Sequence, residues 1–394
     1  MKQIIQIVPS LPPAISGVGD YALLLAQQLR KGHGINTQFV VCDTNWENSE
    51  ILKAETLKPE ITDTSSGLRP PSPQGVEGTS EIGNLKSEME LDGFPLYQLK
   101  ERSAEGLLRV LSQPGMPQTV LLQYVGYGYE KRGCPVWLMR ALGAWHKALG
   151  ARRLVTMFHE LYAFGPPWRS SFWTTPMQQW IARTLAELSD GCLTNRAVSA
   201  GWLVSDRHPV GSIPVLPVFS NLGEVVNPLP LASRKSQMLL YDNVCLRPDA
   251  ASLVCHACEK MGIERVILLG RQKVVRGLEI GRTLVDVGSI TSDSASQLLA
   301  ESCVGCLDYF DGYLGKSGIF AAYCAHGLVP LLLFENHSEP DGLEINQHYW
   351  AAEAPPEITD VTAQQQIANQ AHRWYRSHAV AETAQTYFNM LKES

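Results

Sequence analysis

The sequence predicts an α/β fold made of two domains, each built on a parallel sheet. The chain has 394 residues, of which 45% are hydrophobic and 18% charged. That composition is typical of a globular protein, and the length favours two domains over one. Short apolar runs alternate with stretches of helical periodicity, as in parallel strands joined by helical crossovers. A Pro-rich stretch, residues 209–230, separates two such series.

The first series begins with a continuous apolar run at residues 4–8, followed by an amphipathic helix at 19–30. Helices at 135–149 and 176–189 accompany further strands predicted at 37–43, 119–125, 152–159 and 191–195. Residues 53–93 interrupt the series, because they are rich in Pro, Ser, Gly and Glu and poor in large apolar side chains. Such a segment buries too little surface to offset its ordering entropy, so we predict a disordered insertion.

The second series follows the Pro-rich stretch. Its strands are predicted at 237–242, 265–270, 284–288, 303–309 and 328–334. The segment from about 361 to 391 has the pattern of an amphipathic helix. We therefore expect an N-terminal domain over 1–225, a C-terminal domain over 226–345, and a helical tail over 346–394 that packs back towards the N-terminal domain.

Charge and hydropathy exclude several classes of protein. The net charge of −6 argues against nucleic-acid binding, which requires a basic surface. No apolar run approaches the roughly 20 residues of a membrane-spanning helix. The opening segment MKQIIQIV is too short for the core of a signal peptide. We expect a cytoplasmic protein.

The nine cysteines include two C-x-x-C pairs, at 255/258 and 303/306. The 44 residues between the pairs exceed the spacing of about 15–20 found in zinc ribbons. Both pairs lie in apolar stretches, so we interpret them as small buried side chains. A zinc or redox site is the alternative.

The segment YLGKSGIF ends like a P-loop, with Gly315, Lys316 and Ser317. A P-loop needs another glycine five residues before Gly315, because a long arc of backbone N–H groups must surround the phosphates. That position holds Phe310. The spacing excludes a P-loop and leaves a phosphate site of another kind.

Polar residues follow several predicted strands at the ends where α/β proteins bind ligands. Ser16, Gly17 and Gly19 lie between the first strand and the first helix, where glycines let a ligand approach the backbone. The pattern is not G-x-G-x-x-G, so a dinucleotide-binding dehydrogenase is disfavoured. His159 and Glu160 end another strand. A tight turn for the glycines and a core histidine for His159 are the alternatives.

Seven motifs carry a resemblance to a known family. In order, PPAISGVGDYALLLAQQL, QYVGYGYEKRGCP, MFHELYAFGPP and FSNLGE resemble the acceptor domain of family 4 glycosyltransferases. LLLGRQ, VDVGSITSDSASQLLAES and YLGKSGIFAAYCAHGLVPLL resemble the donor domain. The resemblance covers nearly the whole chain apart from 53–93 and the tail. It implies the GT-B fold: α/β, with two facing Rossmann-like domains and a cleft between them.

The resemblance also implies an activity. A glycosyltransferase of the hexosyltransferase type would move a sugar, with retention of configuration, from a nucleotide-diphosphate sugar to an acceptor. The acceptor would be a glycan, a lipid-linked molecule or a small molecule, as in polysaccharide biosynthesis. The nucleotide-sugar would be a co-substrate, with no cofactor. No D-x-D motif precedes the donor site, so we expect no metal.

The resemblance assigns roles to individual residues. His159 and Glu160 are the expected catalytic residues. The base would lie against the loop of Gly288, Ser289 and Ile290. The donor diphosphate would contact Ser16, Gly17, Gly19, Asn221, Arg247, Arg271, Lys316, Ser317 and Gly318.

The sequence departs from the family at its E-x7-E motif, where Leu314 and Ala322 replace the two glutamates. Two alternatives therefore stay open. The protein could be a catalytically inactive GT-B-like binding protein, or another nucleotide-dependent α/β enzyme such as a kinase or an epimerase.

A further hypothesis concerns the acceptor. Trp168, Phe172 and Trp173 follow His159 closely, and basic residues precede it at Lys131, Arg132, Arg140, Lys147, Arg152 and Arg153. Aromatic residues beside cations suit peripheral contact with anionic lipid at the inner face of a membrane, with a lipid-linked acceptor. Trp137 and Trp145 lie among these basic residues and could belong to the same surface. The alternative is a place in the core, because the two residues recur at helical spacing with apolar neighbours.

Overall fold

The protein contains two parallel sheets, each flanked by helices. The structure, a computed structural model, describes residues 2–46, 89–148, 150–241, 250–270, 283–288, 290–333, 341–352 and 360–392. In the parts of the chain so described, no helix combines the length and apolarity needed to cross a bilayer.

The first sheet has seven strands in the order β3-β4-β2-β1-β5-β6-β7, and only the edge pair β3–β4 is antiparallel. Its strands are β1 Gln3–Val8, β2 Asn36–Val41, β3 Met89–Leu91, β4 Phe94–Gln98, β5 Thr119–Val125, β6 Arg153–Glu160 and β7 Gly191–Thr194. The helices are α1 Gly17–His33, α2 Ala104–Leu111, α3 Gly126–Tyr129, α4 Val136–Lys147, α5 Ser170–Leu188 and α6 Ala197–Leu203.

The second sheet has six strands, all parallel, in the order β10-β9-β8-β11-β12-β13. The strands are β8 Lys235–Tyr241, β9 Arg265–Leu269, β10 Thr283–Asp286, β11 Ser302–Leu307, β12 Val329–Leu332 and β13 Trp350–Ala351. The helices are α7 Ala250–Met261, α8 Ser292–Glu301, α9 Gly318–Ala325, α10 Val361–Arg376 and α11 Val380–Lys392, with 3-10 turns at Leu231–Ser233 and Asp311–Lys316. The prediction of two α/β units with parallel sheets is confirmed.

The boundaries of the predicted insertion, 53–93, are wrong at the C-terminal end. Residues 89–91 form the edge strand β3, and Gly93, at φ 75°, turns the chain into β4. The Asp-Gly turn between the two strands is a hairpin signal. Residues 53–88 lie outside the described part of the chain. The helix predicted at 176–189 begins earlier, at Ser170, and contains Pro176 in its second turn.

The two C-x-x-C pairs lie in regular structure. Cys255 and Cys258 belong to α7, while Cys303 and Cys306 belong to β11, and none of the four is in a disulfide. Among the described residues, no group of His, Cys, Asp and Glu side chains is arranged to hold a metal ion.

Helix α1 illustrates how the sequence fixes the loop that faces the second domain. Ser16 is the N-cap, and its Oγ accepts a hydrogen bond from the Gly19 amide at 3.2 Å. At the other end, Gly34 adopts φ 65° and closes the last turn. Gly19 packs against the end of β1, where a Cβ would lie 2.6 Å from the carbonyl oxygen of Ser10.

This contact predicts a difference between two nearby glycines. Gly19→Ala places a methyl group against rigid backbone, so we expect a loss of about 1–3 kcal/mol in the free energy of unfolding. Gly17→Ala is the matched control, because a Cβ there meets nothing within 4 Å. Urea denaturation of both variants checks this, and equal stability of the two would contradict it.

The two helices of the tail pack on different domains. Helix α10 covers the second sheet, where Ile367 and Ala368 join its core. Helix α11 packs against α1, and the Tyr387 hydroxyl hydrogen-bonds with that of Tyr21 at 3.2 Å. The Met390 carbonyl accepts a hydrogen bond of 2.7 Å from Arg153. The chain thus crosses between the domains twice.

The two crossings meet at Glu224, in the segment that leaves the first domain. Its Oε1 accepts hydrogen bonds from the Tyr375 hydroxyl at 2.5 Å and from the Val380 amide at 2.7 Å. The Tyr375 hydroxyl also accepts one from the Ser220 amide at 2.9 Å. Glu224 therefore connects the end of α10 and the start of α11 to the segment between the domains.

Candidate functional site

A cavity of about 430 Å³ lies in the cleft between the two domains. It is bordered by the carboxyl ends of strands in the first sheet and by the start of α9 in the second domain. Seven of the predicted site residues line it: Ser16, Gly17, His159, Glu160, Asn221, Lys316 and Gly318. Residues far apart in the chain are thus brought together at one place.

The other predicted residues fall into three groups. Gly19 and Ser317 are buried and do not line the cavity: the Gly19 amide donates to Ser16, and the Ser317 Oγ accepts from the Phe320 amide at 3.2 Å. Both have a structural role as parts of helix N-termini. Gly288 and Ile290 also lie outside its lining. Arg247, Arg271 and Ser289 lie outside the described residues, so their roles stay predictions.

Gly288 occupies a turn with φ 59°. Its N–H donates to Asp286 Oδ1 at 2.9 Å, and its carbonyl accepts from the Gly270 amide at 2.9 Å. The Gly288 N–H therefore already has an acceptor within the protein and is not available to donate to a nucleotide base.

One wall of the cleft cavity combines a helix N-terminus with an unpaired amide oxygen. Helix α9 begins at Gly318, and the free N–H groups of a helix N-terminus attract anions and other acceptors. Asn221 Oδ1 is buried without a hydrogen-bond partner. A Cβ on Gly318 would lie 3.6 Å from that oxygen. An unpaired buried acceptor is costly, so this wall is suited to a ligand that donates a hydroxyl or N–H group.

An ion pair crosses the cleft. Lys316 Nζ, in the second domain, lies 3.3 Å from Glu160 Oε1 in the first. The ammonium also lies 5.3 Å from the centre of the Tyr313 ring. The pair is partly exposed, with 23% of the lysine and 36% of the glutamate side chain accessible. An incoming anion can therefore reach the lysine and compete for it.

His159 is held by a chain of buried amides. Its Nε2 lies 2.7 Å from Gln123 Oε1, Gln123 Nε2 donates to Gln6 Oε1 at 2.8 Å, and Gln6 Nε2 donates to the Ala22 carbonyl at 2.9 Å. Because the Ala22 carbonyl can only accept a hydrogen bond, it fixes the orientation of the Gln6 amide, which in turn fixes that of the Gln123 amide. Gln123 therefore presents its oxygen to His159. His159 therefore carries its proton on Nε2 and has a lone pair on Nδ1.

The surroundings keep His159 neutral. Burial, and to a smaller extent the Lys316 ammonium, lowers the pKa of His159 from 6.5 to about 3. The Tyr21 ring packs edge-on against the imidazole at 4.9 Å, and it stacks on Phe219 at 4.3 Å. A neutral imidazole with a fixed lone pair suits acceptance of a hydroxyl hydrogen bond better than proton donation.

Buried histidines predict sensitivity to acid. Burial also lowers the pKa of His378 to about 3, and that of His326 and His348 in the same direction. The unfolded chain takes up these protons near pH 6.5, whereas the native protein does not. The contribution of these histidines to the free energy of unfolding is therefore full above about pH 6.5 and declines as the pH falls towards 3.

Urea denaturation between about pH 7 and about pH 5 tests this, because most carboxylates titrate lower. We expect the free energy of unfolding to decline across this window. In His378→Gln, unfolding should take up close to one proton fewer, so the free energy of unfolding should depend less steeply on pH. A flat profile for the wild-type protein would contradict the expectation.

A second cavity, of about 460 Å³, adjoins the first. The two share His159, Glu160 and Lys316 in their linings, so the ion pair stands between them. Arg196 also lines the second cavity, and its guanidinium lies 4.2 Å from the centre of the Tyr313 ring. Six aromatic residues also line the second cavity: Tyr162, Phe164, Trp202, Tyr309, Phe310 and Tyr313.

Several site residues were missed by sequence reasoning. Gln6 and Gln123 support His159, and the available signal was a glutamine among the buried positions of two mostly apolar strands, QIIQIV and TVLLQYV. Arg102 lines the cleft cavity and is fixed by hydrogen bonds of 3.1 Å to the carbonyls of Cys42 and Tyr129. Asn195 also lines it and donates to the His159 carbonyl. Asn195 directly follows β7, at the same edge of the sheet as His159 at the end of β6, which was a usable signal.

No protein-family model matches the sequence, and no curated protein matches it either. Solved structures match over nearly the whole chain. HepE from Anabaena, solved with UDP and glucose, has a TM-score of 0.58 at 11% identity over 100% of each chain. UDP-GlcNAc 2-epimerase from Neisseria meningitidis, solved with UDP-GlcNAc, has a TM-score of 0.56 at 11% identity over 99% of each. An alpha-glucosyltransferase in complex with UDP has a TM-score of 0.52 at 8% identity over 100% of each.

At such low identity the likeness establishes the fold alone. The solved structures named above are UDP-binding proteins of GT-B fold. Two Rossmann-like units and the cavity between them are also present in this chain. The protein therefore has the GT-B fold.

Proposed function

We propose that this protein is a glycosyltransferase, similar to family 4, that uses a nucleotide-diphosphate sugar. The observation that carries the proposal is the composition of the cleft cavity. There, Gly17 of the first domain faces Lys316 and the N-terminus of α9 in the second. A cation, a helix N-terminus and an open glycine backbone are the groups that bind a diphosphate. The UDP complexes of structurally similar proteins support the same choice.

The polar groups next to this diphosphate site suit the sugar. The Asn221 oxygen requires a donor, and His159 offers a lone pair on Nδ1. Both are acceptors for sugar hydroxyls. In the proposed reaction, the bond between the anomeric carbon and the phosphate oxygen breaks, and the acceptor oxygen bonds to that carbon. The acceptor proton passes to the leaving phosphate, and configuration is retained.

In this scheme the protein acts through position and charge. Lys316 and the α9 N-terminus would stabilise the leaving diphosphate, which is where negative charge develops. The pKa of His159, about 3, leaves it a poor acid or base near neutral pH. It is therefore a residue that orients the sugar.

The second cavity is the proposed place of the acceptor. It adjoins the cleft cavity at Glu160, and its aromatic walls provide stacking surfaces while Arg196 and Glu160 provide polar contacts. Ligand sites commonly combine apolar walls with a few polar groups in this way. Binding of the donor diphosphate to Lys316 would free the Glu160 carboxylate for an acceptor hydroxyl.

A second candidate is a sugar-nucleotide epimerase, because the glutamates that characterise family 4 are missing and solved epimerases are similar in structure. Leu314 and Ala322, which occupy the places of the two glutamates of family 4, are 1% and 0% exposed. Neither can contact a nucleotide-sugar from the cleft. Solved structures of epimerases are also among those similar to this chain. Against an epimerase, proton removal from carbon requires a base poised near neutral pH, and His159 is not one.

Two measurements test the proposal. Calorimetry with UDP and GDP should show binding of at least one of them, with ATP as the control nucleotide; binding of neither would remove the proposed site. Incubation of UDP- and GDP-sugars should then release nucleoside diphosphate slowly through hydrolysis. Incorporation of solvent deuterium into the sugar at C2, without this release, would favour the epimerase.

A further inference from the structure

Helix α5 has an apolar face on its solvent side. Phe172, Trp173, Met177 and Trp180 are between 43% and 73% exposed, whereas the opposite side, including Ile181, is buried in the core. A surface helix normally presents polar residues to water. In the first three turns of α5, large apolar side chains therefore lie on the solvent side.

The loop before the helix extends this surface. Phe164 and Trp168 are 72% and 83% exposed. We call the set the aromatic face, and it consists of Phe164, Trp168, Phe172, Trp173, Met177 and Trp180. These are six of the fifteen large apolar side chains that are exposed in the described residues. An apolar patch of this kind marks an interaction surface.

Several polar groups between the aromatic side chains are hydrogen-bonded within the protein. Trp173 Nε1 donates to the Pro167 carbonyl at 3.0 Å. The Thr175 hydroxyl donates to the carbonyls of Ala163 and Ser171, both at 2.7 Å. The Thr174 hydroxyl donates to the Ser170 carbonyl at 3.3 Å. Because these groups already have partners, contact through the aromatic side chains is mainly apolar, which suits the interface of a bilayer.

The charged side chains within the segments that form the face are basic. Residues 161–186 contain no Asp or Glu, and Arg169 and Arg183 are exposed there. The loop with the exposed side chains of Lys131 and Arg132 packs on the same helix, since Gln178 Nε2 donates to the Arg132 carbonyl at 2.9 Å. The acidic residues nearest along these segments are Glu130, Glu160 and Glu187, at their borders.

The structure corrects which residues form this surface. Trp145 is fully buried, Arg152 donates to its carbonyl, and the Arg153 guanidinium donates to Met390. Both arginines lie at the start of β6, whereas the aromatic face follows the end of that strand. They are thus at the opposite edge of the sheet, whereas Lys131 and Arg132 lie beside the face.

We propose that the aromatic face binds an anionic lipid surface, with Trp168 and Trp173 at the level of the headgroups. Tryptophan beside exposed cations is the composition of a membrane-interface site. Phe164 belongs both to the face and to the lining of the second cavity. Docking would therefore hold the mouth of that cavity at the bilayer. The inference goes beyond the proposed function and does not rest on it.

The test is co-sedimentation with vesicles of phosphatidylcholine, with and without phosphatidylglycerol, at low and high salt. We expect binding to the anionic vesicles at low salt, weaker binding at high salt where charges are screened, and little binding to phosphatidylcholine alone. The double variant Trp168→Ser, Trp173→Ser should bind at least tenfold more weakly. The control Val226→Ser, Leu229→Ser removes apolar side chains that are 70% and 62% exposed from the segment between the domains and should bind like wild type.

A second readout reports insertion directly. Brominated lipids should quench the tryptophan fluorescence of the wild-type protein and of the control, but much less that of the double variant. Absence of binding to anionic vesicles at low salt would overturn the proposal. So would equal binding by the double variant, or self-association that the same substitutions abolish, which would assign the face to a second copy. UDP binding by the double variant should be unchanged, because neither tryptophan lines the cleft cavity.

Discussion

Replacing Lys316 by alanine is expected to weaken UDP binding by roughly 10- to 150-fold. The figure corresponds to about 1.5–3 kcal/mol for the loss of one charge-assisted hydrogen bond to a phosphate. Lys316 is the cation that lies at the N-terminus of α9 and lines both cavities. Isothermal calorimetry of the variant against wild type measures the effect.

Two further variants make this test specific. Lys235→Ala also breaks an ion pair with a glutamate, Glu301, but it lies away from the cleft and should leave UDP affinity unchanged. Glu160→Gln should raise the affinity, because Lys316 would no longer have to leave a carboxylate to meet the phosphate. If Lys316→Ala binds UDP as wild type does, the lysine is not part of the site.

Replacing His159 by alanine is expected to lower turnover of the nucleotide-sugar at least tenfold. The loss of the Nδ1 acceptor would leave the sugar less well oriented, and misplacement of this kind is costly for catalysis. The same variant should also lose about 1–3 kcal/mol of stability, because Gln123 Oε1 would become a buried acceptor without a donor. Steady-state kinetics and urea denaturation measure the two effects.

His159→Gln separates the catalytic effect from the structural one. The amide nitrogen of glutamine can take the position of the ring Nε2 and keep the hydrogen bond to Gln123, but it supplies no Nδ1. We expect stability close to wild type and turnover as low as in His159→Ala. Recovery of turnover together with stability would show that His159 acts only as a support for the fold. The wild-type pH profile should also lack a histidine titration near pH 6.5.

The sequence predicts best those parts of the fold in which the pattern within one segment is enough to identify its structure. Mostly apolar runs such as residues 4–8 and 119–125 are buried on both faces of a parallel sheet, so their pattern needs no knowledge of a partner. Strands β3 and β4 were missed because they are short and follow a long polar segment. Their pairing depends on β2, which is distant in sequence.

The site was predictable where strand ends and helix starts carry polar residues, as for His159, Gly17 and Lys316. It was not predictable where function depends on contacts between distant residues. The pairing of Lys316 with Glu160 joins positions 156 residues apart. The support of His159 by Gln123 and Gln6 requires the strand order β1-β5-β6. Nothing local to either glutamine indicates its neighbour.

The placement of α11 on the first domain has a consequence for how the protein is made. Tyr387 and Leu391 are fully buried in a core that also contains Tyr21, Leu25 and Leu29. These residues of α1 leave the ribosome long before residues 380–392 are synthesised. Domains usually complete their folding in the order of synthesis. Here the core around α1 stays incomplete until the second domain and α11 have been synthesised.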